Sequence, residues 1–154
     1  MAELITIFTD GGARGNPGPA GIGGVIVRGG VGGGANGDSA NGAGETLEEF
    51  SSYIGRATNN QAEYQALLAG LDRARKHTDE DVVCVLDSEL LVKQLTGEYR
   101  IKSPELKKLA HQVKHLEESF KSVSYRHTYR EGNARADALV NEALDKAAGR
   151  ESAG

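Results

Sequence analysis

Apolar residues along the chain fall into short runs that predict five β-strands. Four runs cover residues 4–9, 21–28, 46–54 and 82–86, and such runs, bounded by glycine and polar residues, are typical of strands. The run at 82–86, "VVCVL", has no polar position, which favours a strand buried on both faces. The fifth strand is predicted at 122–130, where polar residues alternate with Val123, Tyr125, His127 and Tyr129.

Helical spacing and capping residues predict four helices. The clearest spans 59–77, because Tyr64, Leu67, Leu68 and Leu71 recur on one helix face. Thr58 and Gln61 match a capping box at its start. The other three helices are expected at 88–95, at 103–120 with Ser103 as the cap and Pro104 in the first turn, and at 133–148.

The order of these elements predicts one α/β domain over residues 1–148. Strands come first and later alternate with helices, which indicates a mixed sheet flanked by helices. Residues 29–44 are nearly all Gly, Ala, Asn and Ser, so we expect a flexible hairpin loop there. Residues 149–154 are expected to form a flexible C-terminal tail.

Composition narrows the classes of protein to consider. Of 154 residues, 38% are hydrophobic and 26% charged, and no apolar run is long enough to cross a membrane. The first residues lack a signal-peptide pattern, and the single cysteine, Cys84, excludes an internal disulfide, so we expect a cytoplasmic protein. The net charge of −4 argues against nucleic-acid binding, unless a cluster of metal-binding carboxylates accounts for the acidity.

Four carboxylates lie at comparable positions in the predicted elements. Asp10 and Asp87 each follow an apolar strand, and Glu63 and Asp137 lie in the first turns of predicted helices. Each acid alone has a structural explanation as a turn residue, a cap or a partner of the helix dipole. Together they point to one crevice of an open sheet, where strand ends and helix starts converge.

Four close carboxylates repel one another unless divalent cations bind them. Ligands that are all oxygen favour Mg²⁺ or Mn²⁺ over zinc. Two such ions roughly 3.5–4 Å apart are the usual machinery of in-line phosphodiester cleavage. The acids therefore predict metal-dependent cleavage of a nucleic acid.

At this point the chain resembles the type 1 ribonuclease H family. The motifs that carry the resemblance span nearly the whole chain, in the order "FTDGGARGNPGPAGIGGVI", "ATNNQAEYQALLAGL", "LDSELLVKQLTGEYRIKSPEL" and "REGNARADALVNEALD". The resemblance implies a five-stranded mixed sheet in which strands 1–3 are antiparallel. It also implies endonucleolytic cleavage of the RNA strand of RNA–DNA hybrids, leaving 5′-phosphate and 3′-hydroxyl ends.

The resemblance also implies roles for particular residues. The metal-binding and catalytic acids fall on Asp10, Glu63, Asp87 and Asp137. Substrate contacts fall on Gly11, Gly12 and Ser88. Asn16, Asn59 and Asn60 would contact 2′-hydroxyls and base edges in the minor groove, a chemistry suited to short amides. Arg56 and Thr58 match a pocket for a DNA phosphate. Two alternatives remain open: Asn59 and Asn60 could be polar padding beside the capping Thr58, and Arg56 a solvated surface arginine.

The chain departs from the family pattern in a loop before the last acid. Many members carry there a histidine that helps the product leave, but "REGNARAD" is short and has none. His127 lies earlier, on the apolar side of a strand, which favours a core or sheet histidine. We hypothesise that Arg130 or Glu131 takes over part of this catalytic role.

A second departure concerns substrate affinity. The basic, tryptophan-bearing protrusion of some members is absent, and the chain has no Trp. Arg100, Lys102, Lys107 and Lys108 could contact the DNA backbone, or form a solvated surface. We therefore expect modest affinity for the hybrid, with a strong dependence on salt concentration. We also expect a monomer. The same features resemble a subgroup in which some members also cut double-stranded RNA, which stays open here.

Three alternatives remain at this stage. One is another nuclease of the same fold, such as a junction resolvase or a proofreading exonuclease, although "TNNQAEY" and "DGGARGNPG" fit those poorly. Another is a hybrid-binding protein without chemistry, which would be expected to lack one of the four acids. The third is that the chain is one part of a larger protein.

Overall fold

A computed structural model describes residues 4–29 and 44–153, with side chains described up to residue 149. The flexible loop predicted at 29–44 lies outside the described residues except for its two ends. No helix in the described ranges combines the length and apolar character needed to span a membrane.

The five predicted strands form one mixed sheet of order β3-β2-β1-β4-β5. β1 pairs antiparallel with β2, and β2 with β3, whereas β4 runs parallel to both β1 and β5. The predicted mixed sheet with three antiparallel strands is thus confirmed. The strands are β1 (Ile5–Ala13), β2 (Gly18–Arg28), β3 (Glu45–Ala57), β4 (Asp81–Leu86) and β5 (Ser122–His127).

Four α-helices and one 3₁₀ turn complete the described fold. Thr58 and Gln61 close the predicted capping box of the first helix, and the hydroxyls of Ser88 and Ser103 cap the next two. The helices are α1 (Asn59–Ala74), α2 (Glu89–Leu95), α3 (Pro104–Glu117) and α4 (Ala134–Ala153), and the 3₁₀ turn is Arg130–Asn133.

Helices cover both faces of the sheet. On one face, Ile5, Ile7 and Ile26 pack with Leu67 and Leu71 of α1, and α2 and α3 extend this core. On the other face, α4 places Leu139 against Phe8 and Val25, which alternate with the first set along their strands. Cys84 lies fully buried in β4, as the apolar run predicts.

Close packing and polar contacts hold α4 to the antiparallel half of the sheet. A Cβ on Gly23 of β2 would lie 2.7 Å from the carbonyl oxygen of Ala136, so only glycine allows this approach. Ser51 of β3 donates a 2.6 Å hydrogen bond to the Leu139 carbonyl. Arg135 adds a bidentate pair with Glu49 at 2.7 and 2.8 Å. These contacts fix the helix that carries Asp137.

Several element boundaries differ from the predictions, and those of β1 and α4 bear on the site. β1 continues to Ala13, so Asp10 lies within a strand and not at its end; it pairs with Gly23 of β2. β1 pairs with β4 only as far as Thr9, so Asp10 is the first residue beyond the parallel ladder. α4 runs to Ala153, into the segment 149–154 predicted as a tail, where Arg150, Glu151 and Ala153 are good helix formers.

β5 is shorter than predicted and more exposed at its end. It stops at His127, and Arg130 begins the 3₁₀ turn. The alternation holds for Val123 and Tyr125, which pack against the core. It fails for His127, which is exposed, and for Tyr129, which is 77% exposed. Of the two expected alternatives, a core or a sheet histidine, the core one is wrong and the sheet one is confirmed. His127 ends an edge strand with its ring edge-on to Tyr129.

Candidate active site

The four predicted acids line one cavity of about 420 Å³ at the carboxyl ends of β1 and β4. Asp10 comes from β1, Asp87 from the residue after β4, Glu63 from α1 and Asp137 from α4. Asp137 lies in the first turn of its helix as predicted, but Glu63 is the fifth residue of α1 and lies beyond its first turn. The structure therefore brings together side chains that are 127 positions apart in the sequence.

Strand geometry places Asp10 and Asp87 side by side. The parallel ladder ends with the pair Thr9 and Leu86, and Asp10 and Asp87 are the residues that follow this pair in the sequence. Asn133, which has no exposed surface, donates its Nδ2 to the Thr9 carbonyl at 2.8 Å. This hydrogen bond lies at the last residue of β1 that pairs with β4, and it ties β1 to the start of α4.

Burial and mutual repulsion raise the pKa values of three of these acids. Desolvation is the main cause at Asp10, followed by the charge of Asp87 and a hydrogen bond with Asp137, and its pKa rises to about 9. Burial raises the pKa of Glu63 to about 7, against a hydrogen bond from Ser88. The pKa of Asp87 is raised by burial, while the charge of Arg130 opposes the rise.

This donor set fits hard divalent cations by its chemistry. Neighbouring buried carboxylates repel one another when they are ionised. A cation bound among them stabilises their charged forms. All four donors are oxygens, which suits Mg²⁺ or Mn²⁺. In the described ranges, however, no three His, Cys, Asp or Glu side chains already stand as a group that could hold a metal ion. The assignment of all four acids as metal ligands therefore stays a prediction.

The other predicted site residues divide into two sets. Gly11, Gly12, Asn59 and Arg130 line the cavity with the acids. The remaining candidates do not line it, and they are Asn16, Arg56, Thr58, Asn60, Ser88 and Glu131. Arg56 is exposed on β3, and the Thr58 hydroxyl accepts from the Gln61 backbone N–H at 3.1 Å.

Several of these residues also build the site. Asn59 Oδ1 accepts from the Ala13 N–H at 2.8 Å, and Asn16 Oδ1 accepts from the Asn59 N–H at 3.0 Å. Together the two asparagines fasten the β1–β2 turn to the start of α1. A Cβ on Gly11 would overlap the Ala62 carbonyl and lie 2.7 Å from the Glu63 nitrogen. Gly11 therefore lets Asp10 and Glu63 come close.

Sequence reasoning missed three polar residues at the site. Arg14 and Asn141 line the cavity, and Asn133 donates a hydrogen bond to the Thr9 carbonyl, one residue before Asp10. Asn141 lies four residues after Asp137, with their side chains 3.5 Å apart, so helical spacing could have identified it. Nothing in the sequence distinguishes the buried Asn133 from an ordinary loop asparagine.

The fold and the cavity together define the ribonuclease H-like class of α/β proteins. The chain belongs to the family described as "Reverse transcriptase-like", whose profile matches residues 8–143. Together with the relatives named ribonuclease HI and RNase H1, this match confirms the family predicted from the motifs.

Known proteins resemble the chain over most of its length. The bifunctional protein Rv2228c of Mycobacterium tuberculosis is 41% identical over 144 residues, covering 94% of this chain and 36% of that protein. Its solved N-terminal RNase H domain, fused to maltose-binding protein, has a TM-score of 0.82 at 40% identity, covering 99% of this chain and 100% of that chain.

Two further relatives extend the comparison. Ribonuclease HI of Halobacterium salinarum is 44% identical over 143 residues, covering 93% of this chain and 65% of that protein. LC11-RNase H1, solved in complex with an RNA/DNA hybrid, has a TM-score of 0.79 at 45% identity, covering 93% of this chain and 98% of that chain. The chain thus spans 36% of the mycobacterial relative's length and 65% of the halobacterial one.

Proposed function

We propose that this chain is a metal-dependent endonuclease that cleaves the RNA strand of RNA–DNA hybrids, leaving 5′-phosphate and 3′-hydroxyl ends. The observation that carries the proposal is the meeting of Asp10, Glu63, Asp87 and Asp137, from four elements, in one polar cavity. The relatives named ribonuclease H, and the LC11-RNase H1 complex with a hybrid, support this substrate over other nucleic acids.

The four carboxylates would hold the metal ions. A bound pair of Mg²⁺ or Mn²⁺ ions supplies activation of the attacking water and stabilisation of the departing oxygen. The protein's part is to hold Asp10, Glu63 and Asp87, whose ionisation burial opposes, together with Asp137. Asp10 is hydrogen-bonded to Asp137, and Ser88 to Glu63. These contacts orient the carboxylates towards the same space.

Arg130 is the candidate to replace the missing histidine. It lines the cavity, and its charge acts on Asp87, whereas Glu131 does not line the cavity. A guanidinium there would bind the phosphate being cleaved or released. Arg130→Ala should lower turnover roughly tenfold or more, and unchanged turnover would remove the arginine from the mechanism.

Recognition of RNA would depend on asparagine amides. The Oδ1 atoms of Asn16 and Asn59 already accept backbone hydrogen bonds, so these residues would offer their Nδ2–H donors to 2′-hydroxyls, which distinguish RNA from DNA. Asn60 and the backbones of Gly11 and Gly12 would add contacts along the same strand. For the DNA strand, we propose a phosphate contact at Arg56 and Thr58.

One chain carries all four acids, so a monomer suffices for activity, and we propose a cytoplasmic monomer. The deciding experiment incubates end-labelled RNA–DNA hybrid, duplex DNA and duplex RNA with the protein in Mg²⁺. Wild type should cleave the RNA of the hybrid, and Asp10→Asn should lose nearly all activity with its fold intact.

Asp79→Asn is the matched control, because Asp79 lies in the turn before β4 and outside the cavity, and it should retain activity. An intact hybrid after incubation with folded wild type would contradict the proposal. The duplex-RNA arm decides whether double-stranded RNA is a second substrate.

A further inference from the structure

Arg14 lies at the rim of the acidic cavity and carries a positive charge that the proposed reaction has not used. Within the described residues, the cations that line this cavity are Arg14 and Arg130, against four carboxylates. A phosphodiester that approaches so many acids needs positive charge along its path. Arg130 stands beside Asp87, so Arg14 is the cation left to meet the strand at the opposite, β1 side of the cavity.

The backbone of Arg14 is held firmly. Its N–H donates to the Pro19 carbonyl at 2.8 Å, and the preceding Ala13 N–H donates to Asn59 Oδ1. Gly15 has a φ of +95°, which closes the turn in a conformation that favours glycine. A Cβ on Gly18 would overlap the Arg14 carbonyl. The backbone of Arg14 is therefore fixed, whereas its side chain is free to change conformation.

In this structure Arg14 pairs with a carboxylate, an anion that resembles a phosphate in the way it accepts a guanidinium. Its Nη2 donates to Asp145 Oδ1 of α4 at 2.7 Å, and the two side chains are 45% and 69% exposed. Ion pairs this exposed contribute little to stability, and a phosphate oxygen pair accepts a guanidinium in the same geometry as a carboxylate. Exchange of the Asp145 carboxylate for a phosphate therefore costs little free energy.

We propose that Arg14 binds a backbone phosphate of the strand being cut, next to the scissile one, and that Asp145 occupies the guanidinium until substrate displaces it. This inference rests on the proposed function. Arg14 would thus determine affinity, not chemistry, and Asp145 would act as an internal competitor that weakens hybrid binding.

The test measures kcat and KM for hybrid cleavage across a series of KCl concentrations. Arg14→Ala should raise KM about five- to tenfold with kcat within about twofold, and should make the dependence of log(1/KM) on log[salt] shallower by about 0.9. Asp145→Asn should lower KM about two- to threefold, because it frees Arg14.

Glu142→Gln is the matched control for Asp145→Asn. Glu142 lies on the same helix and pairs with Lys146, not with a cavity residue. The Glu142→Gln variant loses the same charge as Asp145→Asn, and its KM should stay near that of wild type. The gain from Asp145→Asn should vanish in the Arg14→Ala/Asp145→Asn double variant, since Asp145 acts through Arg14.

The proposal fails if Arg14→Ala leaves KM unchanged, if Asp145→Asn matches Glu142→Gln, or if its gain survives without Arg14. Should Arg14→Ala not fold, the comparison of Asp145→Asn with Glu142→Gln decides alone. Wild type that leaves hybrid intact refutes the proposed function itself, whereas wild type that cleaves while Arg14→Ala keeps its KM refutes only the role of Arg14.

Discussion

Asp10 carries the largest electrostatic cost among the acids of the cavity. Burial, the charges of Asp87, Asp137 and Glu63 and a hydrogen bond with Asp137 all raise its pKa, to about 9 from an ordinary value of 3.8. Between these values the native state keeps a proton that the unfolded chain releases. Without metal, the stability that this group contributes is complete below about pH 4 and is lost as the pH rises towards 9.

Asp10→Asn should therefore stabilise the metal-free protein at neutral and alkaline pH. In EDTA, we expect its Tm to exceed that of wild type by at least about 3 °C at pH 8, with the difference shrinking towards pH 4. Thermal unfolding followed by circular dichroism at several pH values measures this. Asp79→Asn, outside the cavity, should have the Tm of wild type at each pH. If the Tm of Asp10→Asn equals that of wild type at every pH, Asp10 is not a buried, repelled acid.

Asn133 presents the opposite case, a neutral side chain that supports the site. It is fully buried and donates to the Thr9 carbonyl, one residue before Asp10. Among the described side chains, Asn133 Oδ1 and Thr9 Oγ1 are the buried polar atoms without a hydrogen-bond partner. The hydrogen bond from Asn133 Nδ2 therefore links β1 to the start of α4 beside the cavity.

Asn133→Ala should lower the free energy of unfolding by about 1–3 kcal/mol, because the Thr9 carbonyl loses its buried donor. It should also reduce hybrid cleavage at low Mg²⁺, with partial recovery at high Mg²⁺, as Asp10 shifts. Urea unfolding and a Mg²⁺ titration of activity test both effects. Ser51→Ala removes another bond between α4 and the sheet and should cost stability with unchanged Mg²⁺ dependence; equal Mg²⁺ curves for both variants would contradict the role of Asn133.

At the scale of elements, the apolar pattern predicted every strand and α-helix of the described chain in order. The strand boundary that it missed in β1 depends on a pairing partner. Gly11, Gly12 and Ala13 offer no apolar pattern, yet they continue β1 because β2 pairs with them. β5 lies at the sheet edge, so alternation could not show that His127 would be exposed.

The residues of the site also divide into those that the sequence could predict and those that it could not. Acids that follow strands could be predicted to converge, because parallel strand ends share one edge of a sheet. The contribution of Arg14 and Asn133 could not, since it depends on α4 crossing β1 and β2, a contact between chain segments more than 100 positions apart.

The close approach of β1 and α1 gives a prediction at this scale. A Cβ at Gly11 meets the backbone of Ala62 and Glu63, whereas at Gly12 the nearest atom is Asn59 Oδ1 at 3.9 Å. Gly11→Ala should lower the free energy of unfolding by about 2–4 kcal/mol and abolish most cleavage, because α1 must move away with Glu63. Gly12→Ala should change stability by less than about 1 kcal/mol. Urea unfolding of the two variants is the measurement, and equal losses would mean that α1 yields easily.

At the scale of the whole molecule, an acidic protein is proposed to bind a polyanion. The net charge is −4, and the acids of the cavity account for as many negative charges when ionised. Binding must then depend on local cations and on metal ions among the carboxylates. The cations proposed to meet phosphates are Arg14, Arg56 and Arg130, which lie on different elements or loops around the site.

Three phosphate contacts predict a measurable salt dependence for hybrid affinity. At about 0.9 per contact, the slope of log K against log[salt] is about −2.7, which corresponds to roughly a 40-fold loss of affinity between 50 and 200 mM KCl. Fluorescence anisotropy with labelled hybrid and the Asp10→Asn protein measures the slope. Lys107→Ala/Lys108→Ala is the control, because both lysines are exposed on α3 and a solvated helix face adds nothing to the slope. A slope near zero would contradict phosphate binding by the three arginines, and a slope that falls by about 2 in the lysine variant would move the DNA contact from Arg56 to α3.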